Sequence, residues 1–298
     1  MIYKKIQTFL NKKTSLPKLI VVYGPTACGK TSLSLDIAEK FNGEIIGADS
    51  RQIYKYLDIG TGKIKREEQR GIKHYMIDFL DLDQDYSVGE YKKTVIPLVK
   101  EIFEKGKIPI LCGGTGLYID SIIYNFQIPE IEPDWDLRQK LEEIRLTKGN
   151  DFLWQMLNKI DPEYANTIHP NNYRYVQRGI EIKEKTGKSK NDLKIKKEKI
   201  FDYLLISPDF SDRKALYNKI NMRIDEMFEK GLIEETKNIL TFGYNKKCSG
   251  LNTIGYKEII NYLDGNIGLE ETKELIKKHN RNYAKRQITR FKRYDNPV

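Results

Sequence analysis

Eight consecutive residues, Gly24-Pro25-Thr26-Ala27-Cys28-Gly29-Lys30-Thr31, set two glycines, a lysine and a threonine at the spacing G-x-x-x-x-G-K-T. That spacing suits phosphate binding. The amides of such a loop and of the helix behind it can wrap a phosphate chain, the lysine adds a point charge, and the threonine hydroxyl can hold Mg²⁺. Gly24, Pro25, Thr26, Ala27, Cys28, Gly29, Lys30 and Thr31 are therefore the expected phosphate-binding residues, with Thr31 as metal ligand. Cys28 is expected to contribute its backbone and not to act as a nucleophile.

The loop does not name its substrate, since nucleoside triphosphates and other diphosphates present the same oxygens. Two features count against an ordinary ATPase or kinase. The apolar run 108–111 ends in Cys112-Gly113-Gly114-Thr115-Gly116, with no carboxylate to polarise a metal. A carboxylate instead follows the expected strand 44–48, at Asp49. There it could take a proton from an incoming nucleophile, or equally serve as a turn or helix cap. The glycines at 113, 114 and 116 would let backbone approach a ligand closely, and Thr115 offers a hydroxyl.

A helix opened by Ser211-Asp212 carries an apolar stripe of Leu216, Ile220, Ile224 and Met227. At about 100° per residue, Arg213 and Arg223 project onto that stripe. A buried arginine needs an anion, either a core carboxylate or a bound diphosphate. Arg223, in mid-helix, is the better placed.

The elements that must hold these residues follow from periodicity. The β-branched run 18–23 reads as a buried strand ending at Gly24-Pro25, and 31–41 as a helix with Leu33, Ile37, Ala38 and Phe41 on one face. Ser87-Val88-Gly89-Glu90 is a capping box opening a helix with Val88, Tyr91, Val95, Leu98 and Ile102 on one side, in which Pro97 should introduce a kink. Strands are expected again at 108–112 and 203–206. Alternating strands and helices predict an α/β fold with a P-loop NTPase-like parallel sheet flanked by helices. Residues 128–199 break the alternation and predict a helical insertion domain, leaving 15–127 plus 200–298 as the catalytic core.

With 39% hydrophobic and 32% charged residues, the chain has the composition of a soluble protein. No apolar run is long enough to span a bilayer, and the first eighteen residues do not read as a signal peptide. The first seventeen have no assigned role beyond a frayed extension. Three scattered cysteines form no disulfide framework, which suits a reducing cytoplasm. The net charge of +10 is concentrated: residues 272–298 contribute nine Lys/Arg against two acids, and residues 183–200 eight Lys against three. These segments sum to +7 and +5, so the remainder carries about −2. Clustered positive charge can be a solvated face or the footprint of a polyanion.

The ordered motifs resemble the tRNA dimethylallyltransferase (tRNA isopentenyltransferase) family. The likeness runs through residues 24–31, Asp49-Ser50-Arg51-Gln52-Ile53-Tyr54, Tyr86-Ser87, Gly113-Gly114-Thr115-Gly116-Leu117-Tyr118 and His169-Pro170-Asn171-Asn172. It continues through residues 178–181, 213–232, Ile254-Gly255-Tyr256-Lys257-Glu258 and Tyr283-Ala284-Lys285-Arg286-Gln287. It implies transfer of a dimethylallyl group from dimethylallyl diphosphate to the N6 amine of the adenosine 3′-adjacent to the anticodon, with Mg²⁺ as cofactor. Asp49 would be the general base, Thr115 and Arg223 would stabilise the departing diphosphate, and residues 26–31 would hold it. Asp49, Ser50, Arg51 and Gln52, then Arg174, Tyr175, Val176, Gln177 and Arg178, and the 254–258 neighbourhood would face the tRNA anticodon stem-loop. The two basic segments would grip its phosphates.

The sequence departs from the pattern in places. Cys28 replaces a usual serine, Tyr175 stands where an arginine pair is common, and Arg290 replaces a usual tryptophan. The absence of a C-terminal zinc finger resembles the bacterial type. A cytoplasmic monomer with no obligate protein partner is expected.

Three other readings share parts of the pattern. A small-molecule kinase would leave the insertion and basic tail without a role. An adenylate isopentenyltransferase would use free nucleotide, which needs no such surface. A non-catalytic RNA-binding ATPase would not depend on Asp49.

Overall fold

A computed structural model describes residues 2–126, 134–192 and 199–295. Residues 128–133 of the expected insertion, 193–198 of the first basic run and 296–298 of the second lie outside the described residues. The chain divides into two compact units, one of Met1–Tyr124 with Lys199–Val298 and the other of Asn125–Glu198.

In chain order the elements are α1 (Ile2–Asn11), β1 (Lys18–Tyr23), α2 (Lys30–Phe41), β2 (Gly43–Gly47), β3 (His74–Tyr75), α3 (Val88–Glu104), β4 (Ile108–Gly113) and α4 (Gly116–Ile123). There follow α5 (Trp135–Lys148), α6 (Asn150–Ile160), α7 (Pro162–Ala165), α8 (Tyr173–Thr186), β5 (Asp202–Ile206), α9 (Arg213–Glu229), α10 (Leu232–Thr241), α11 (Tyr256–Leu263) and α12 (Leu269–Asp295).

The first unit is built on a five-stranded sheet of order β3-β2-β4-β1-β5, with every pairing parallel. This is the α/β parallel sheet the strand–helix alternation predicts. The two-residue strand β3 is too short to leave a periodic signal.

Alternation along β1 divides the core into two layers. Leu19, Val21 and Tyr23 point one way, into a cluster with Tyr91, Val95, Val99 and Ile102 of α3 and Phe291 of α12. Ile20 and Val22 point the other way, against Ile37 and Ala38 of α2. Ile6 of α1 is fully buried in that second layer. The first residues, to which the sequence assigned no role beyond a frayed extension, are thus a docked helix closing one face of the sheet. Ile2, Ile6, Phe9 and Leu10 supply the apolar face that holds it.

The capping box of α3 is formed as expected. Ser87 Oγ accepts from the Glu90 amide at 3.1 Å, and Glu90 Oε2 accepts from the Ser87 amide at 2.7 Å. The helix continues through Pro97 to Glu104.

The regular elements among the second unit's described residues are all helices, around a small core of Leu141, Leu153, Leu157, Tyr164, Val176 and Ile180. One fully buried carboxylate organises it. Glu181 takes both nitrogens of an Arg138 fork at 3.0 and 2.9 Å, an Arg178 nitrogen, and the Asp134 amide at 2.7 Å. Burial by itself would raise its pKa, but the hydrogen bonds from Arg138 and Arg178 hold it below the ordinary carboxylate value.

Candidate active site

β2, β4 and β1 are adjacent strands, so the loops leaving their carboxyl ends emerge side by side. These three loops carry Asp49, Thr115 and the phosphate loop. Ligands of open parallel sheets bind at this edge.

The loop after β1 turns on Gly24 (φ 150°), Ala27 (φ 61°) and Gly29 (φ 90°), and it delivers the chain into α2 without a side-chain cap. The uncapped amides and dipole of α2 therefore face the loop. Lys30 folds back over the loop, its Nζ donating to the Pro25 carbonyl at 2.6 Å. Thr31 is exposed at the start of α2. Cys28 is buried against Leu216, Ile220, Ala284 and Ile288. Burial pushes its thiol pKa up, opposed by Lys30. A buried, protonated thiol packs the loop and is a poor nucleophile.

Asp49 combines both roles considered for it. Its Oδ1 accepts from the Arg51 amide at 2.8 Å and the Gln52 amide at 3.4 Å, the pattern of an Asx turn. No bond from Oδ2 occurs among the described residues, so one oxygen shapes the turn and the other remains for chemistry. Thr115 stands beside it, its Oγ1 accepting from the Ser50 amide at 3.0 Å. The two strand ends touch directly. The Thr115 amide donates to the Ala48 carbonyl at 3.0 Å, and a Cβ at Gly113 would collide with that same carbonyl. Gly113 is glycine because the β2 and β4 ends approach this closely.

Arg223 of α9 reaches the phosphate loop. Nη1 donates to Thr26 Oγ1 at 3.1 Å, and Nη2 to the Thr61 carbonyl at 3.0 Å. Burial draws its pKa down, with Asp49 the leading charge opposing that. It forms no direct ion pair among the described residues, and Asp49 and Glu226 act on its charge without a direct bond to it. Arg213, expected on the same stripe, is exposed at the first residue of α9, because the buried stripe begins only at Leu216.

The Asp58-Ile59-Gly60-Thr61-Gly62-Lys63 loop was missed in the sequence, although its glycine-rich pattern was a usable signal. Its Thr61 and Gly62 carbonyls accept from Gln52 Nε2 at 3.1 and 3.2 Å, and Gly62 lies against the Arg223 guanidinium. Glu235 and Tyr256 hold the loop from behind, through the Ile59 amide at 2.9 Å and the Gly60 amide at 3.1 Å. Tyr283 of α12 was part of the resemblance but given no role. Burial and then Asp49 push its phenol pKa up, while a hydrogen bond with Thr115 opposes this.

The residues expected to face tRNA sort unevenly. Arg51 donates to the Ser249 carbonyl at 3.0 Å, and Gln52 is spent on the 58–63 loop. In the second unit Arg174 and Tyr175 are exposed, whereas Gln177 bonds Glu142 at 3.1 Å and Arg178 pairs with Glu181. Val176 is fully buried in that unit's core, so its side chain cannot meet RNA. The 254–258 neighbourhood needs the same correction. Tyr256 is wholly buried, and Glu258 caps the Gly255 amide at 2.7 Å. Only Lys257 of that stretch is exposed.

Along α12, Lys278, Lys285, Arg286, Lys292 and Arg293 are all exposed. At 3.6 residues per turn these positions fall on one face, with no acid between 278 and 293. Arg290 turns inward instead. With the Tyr294 hydroxyl at 2.6 Å, it engages the buried Asp120 carboxylate, and it packs on Gly116. An arginine at 290 is thus matched by an acid on α4.

Fold and site together define a P-loop-like α/β protein that presents a G-x-x-x-x-G-K-T loop, an aspartate and an arginine at one sheet edge. A family model described as IPP transferase matches residues 52–294. The chain is 46% identical over 284 residues to a tRNA dimethylallyltransferase of Thermoanaerobacter sp. (strain X514), covering 93% of this chain and 90% of that protein. It is 41% identical, at a TM-score of 0.67, to the crystal structure of a tRNA isopentenylpyrophosphate transferase from Bacillus halodurans, covering 93% and 87% of the two chains. A eukaryotic dimethylallyltransferase crystallised acting on tRNA matches at a TM-score of 0.78 and 32% identity, over 92% of this chain and 69% of that one. The chain belongs to the IPP transferase family, whose relatives here are tRNA dimethylallyltransferases.

Proposed function

We propose that this protein transfers the dimethylallyl group of dimethylallyl diphosphate to the N6 amine of the adenosine 3′-adjacent to the anticodon of tRNA. The observation that carries this reading is Arg223, a part-buried cation bonded to the phosphate loop through Thr26 with no carboxylate partner among the described residues. Such a charge is set to meet an anionic ligand. It lies on the same edge as an aspartate with one uncommitted oxygen.

In the reaction, the N6–C1 bond forms as the C1–O bond to diphosphate breaks. Asp49 takes the proton released from N6. The exocyclic amine is a weak nucleophile because its lone pair is delocalised into the ring, so a positioned base accelerates the step by ~10²–10⁴. Arg223, Lys30 and the α2 amides stabilise the charge that builds on the leaving diphosphate. Thr115 holds the Asp49 turn through the Ser50 amide and turns its hydroxyl toward the same edge.

Among the described residues no group of three His, Cys, Asp or Glu could cage a metal. The exposed Thr31 hydroxyl fits Mg²⁺ held mainly by substrate phosphates, the usual arrangement for this ion. Mg²⁺ so bound would neutralise charge on the diphosphate.

The basic face of α12 meets RNA phosphates, and exposed Arg174 and Tyr175 add contacts from the second unit. The target adenosine leaves its stack to reach Asp49, at a cost of a few kcal/mol that a loop substrate lowers. No helix among the described residues is long and apolar enough to cross a membrane.

Incubation with dimethylallyl diphosphate, Mg²⁺ and unmodified tRNA, followed by digestion to nucleosides, tests the reading. A prenylated adenosine is expected. Its absence beside rapid ATP hydrolysis would make the loop that of an ordinary NTPase.

A further inference from the structure

We infer that Gln287 is a positioning residue that sets the distance between the donor and acceptor halves of the site; this rests on the prenyl-transfer reading above. The side chain projects from α12 and is only 5% exposed. Its Oε1 accepts from the Thr26 amide at 2.9 Å, and its Nε2 donates to the Gly114 carbonyl at 2.9 Å. A single primary amide thus bridges the phosphate loop after β1 to the loop after β4.

The two ends of that bridge are the two halves of the chemistry. Thr26 belongs to the loop that holds diphosphate, and its hydroxyl is the contact of Arg223. Gly114 precedes Thr115, whose hydroxyl receives the Ser50 amide next to Asp49. Moving the loops apart or together changes the distance from the leaving group to the base.

Only one orientation of the Gln287 amide satisfies both partners, since one is a donor and the other an acceptor. Glutamate at 287 would accept from Thr26 but meet the Gly114 carbonyl with a second acceptor. The fit at Gly114 is also tight, because a Cβ there would strike Gln287 Nε2.

The bridge is itself firmly held. Next to Gln287 on α12, Ala284 and Ile288 pack on Cys28, Leu216 and Ile220. One and two turns further on, Arg290 and Tyr294 fasten α12 to Asp120. A rigid helix carrying a two-ended hydrogen bond fixes spacing in a way that neither loop could do alone.

The test compares Gln287→Met, which keeps the size and removes both bonds, with wild type. Gln287→Glu, which removes one bond, replaces it if the methionine variant does not fold. Dissociation constants for dimethylallyl diphosphate and for tRNA are measured separately, then the single-turnover rate of the saturated ternary complex. Positioning predicts both dissociation constants within about threefold of wild type and a rate lower by tenfold to a hundredfold, the scale of an ångström-sized misplacement. A rate within about twofold of wild type would overturn the inference, as would equal losses in affinity and rate, the mark of a merely structural residue. Wild-type protein that transfers no prenyl group would instead remove the underlying function.

Discussion

Arg223 Nη1 donates to Thr26 Oγ1 at 3.1 Å, joining residues 197 positions apart and placing the cation of α9 on the phosphate loop. The same guanidinium also holds the Thr61 carbonyl, so its planar fork spans two loops. Lysine cannot reproduce that fork.

Arg223→Lys is therefore expected to slow single-turnover transfer by ~10²–10³, the usual effect of losing one donor to a developing anion. Dissociation of tRNA measured by filter binding should stay unchanged, because the proposed role of Arg223 is toward the diphosphate. A lysine variant with wild-type turnover would contradict the assignment.

The exposed cations of α12 should behave differently. Lys285→Ala and Arg286→Ala are each expected to weaken tRNA binding and to reduce the slope of log K against log salt by about one. Titration at several salt concentrations measures this. The affinity for dimethylallyl diphosphate with Mg²⁺ should scarcely move, and unaltered salt slopes would leave the basic face as mere solvated surface.

Glu181 should govern the stability of the second unit. Its folded-state pKa lies below the ordinary value, so its contribution is complete above the unfolded carboxylate pKa of about 4.3. That contribution is lost as pH falls through the lower folded-state value. Glu181→Ala leaves Arg138 and Arg178 without their counter-charge and is expected to cost about 3 kcal/mol. Both tryptophans of the chain, Trp135 and Trp154, lie in this unit, so denaturant titration followed by tryptophan fluorescence reports it. Equal stability of variant and wild type at neutral pH would remove the role given to Glu181.

What the sequence made legible were features written in local spacing. The turn of residues 24–31 between a strand and a helix, the capping box at Ser87 and Glu90, and the buried strands β1 and β4 depend on neighbours a few residues away. Arg223 was legible as a cation on an apolar helix face. What stayed hidden depends on partners distant in the chain. Gln287 meets Thr26 across 261 positions and Gly114 across 173, and no periodicity records either contact. Val176 sits among arginines and looks like a surface residue, yet α8 turns it into its unit's core. Tyr256, within a stretch assigned to RNA, is consumed by Glu235 and the Gly60 amide. The docking of α1 was missed because apolar residues interleaved with lysines in a short N-terminal segment read equally as fraying.

The most direct test of the account is single-turnover transfer of labelled dimethylallyl groups by wild type and Asp49→Ala, with tRNA and AMP as alternative acceptors. Wild type should label tRNA and leave AMP unlabelled. The variant should bind tRNA equally well and transfer at least ~10²-fold more slowly. Transfer by Asp49→Ala at the wild-type rate, or label appearing on AMP in place of tRNA, would contradict it.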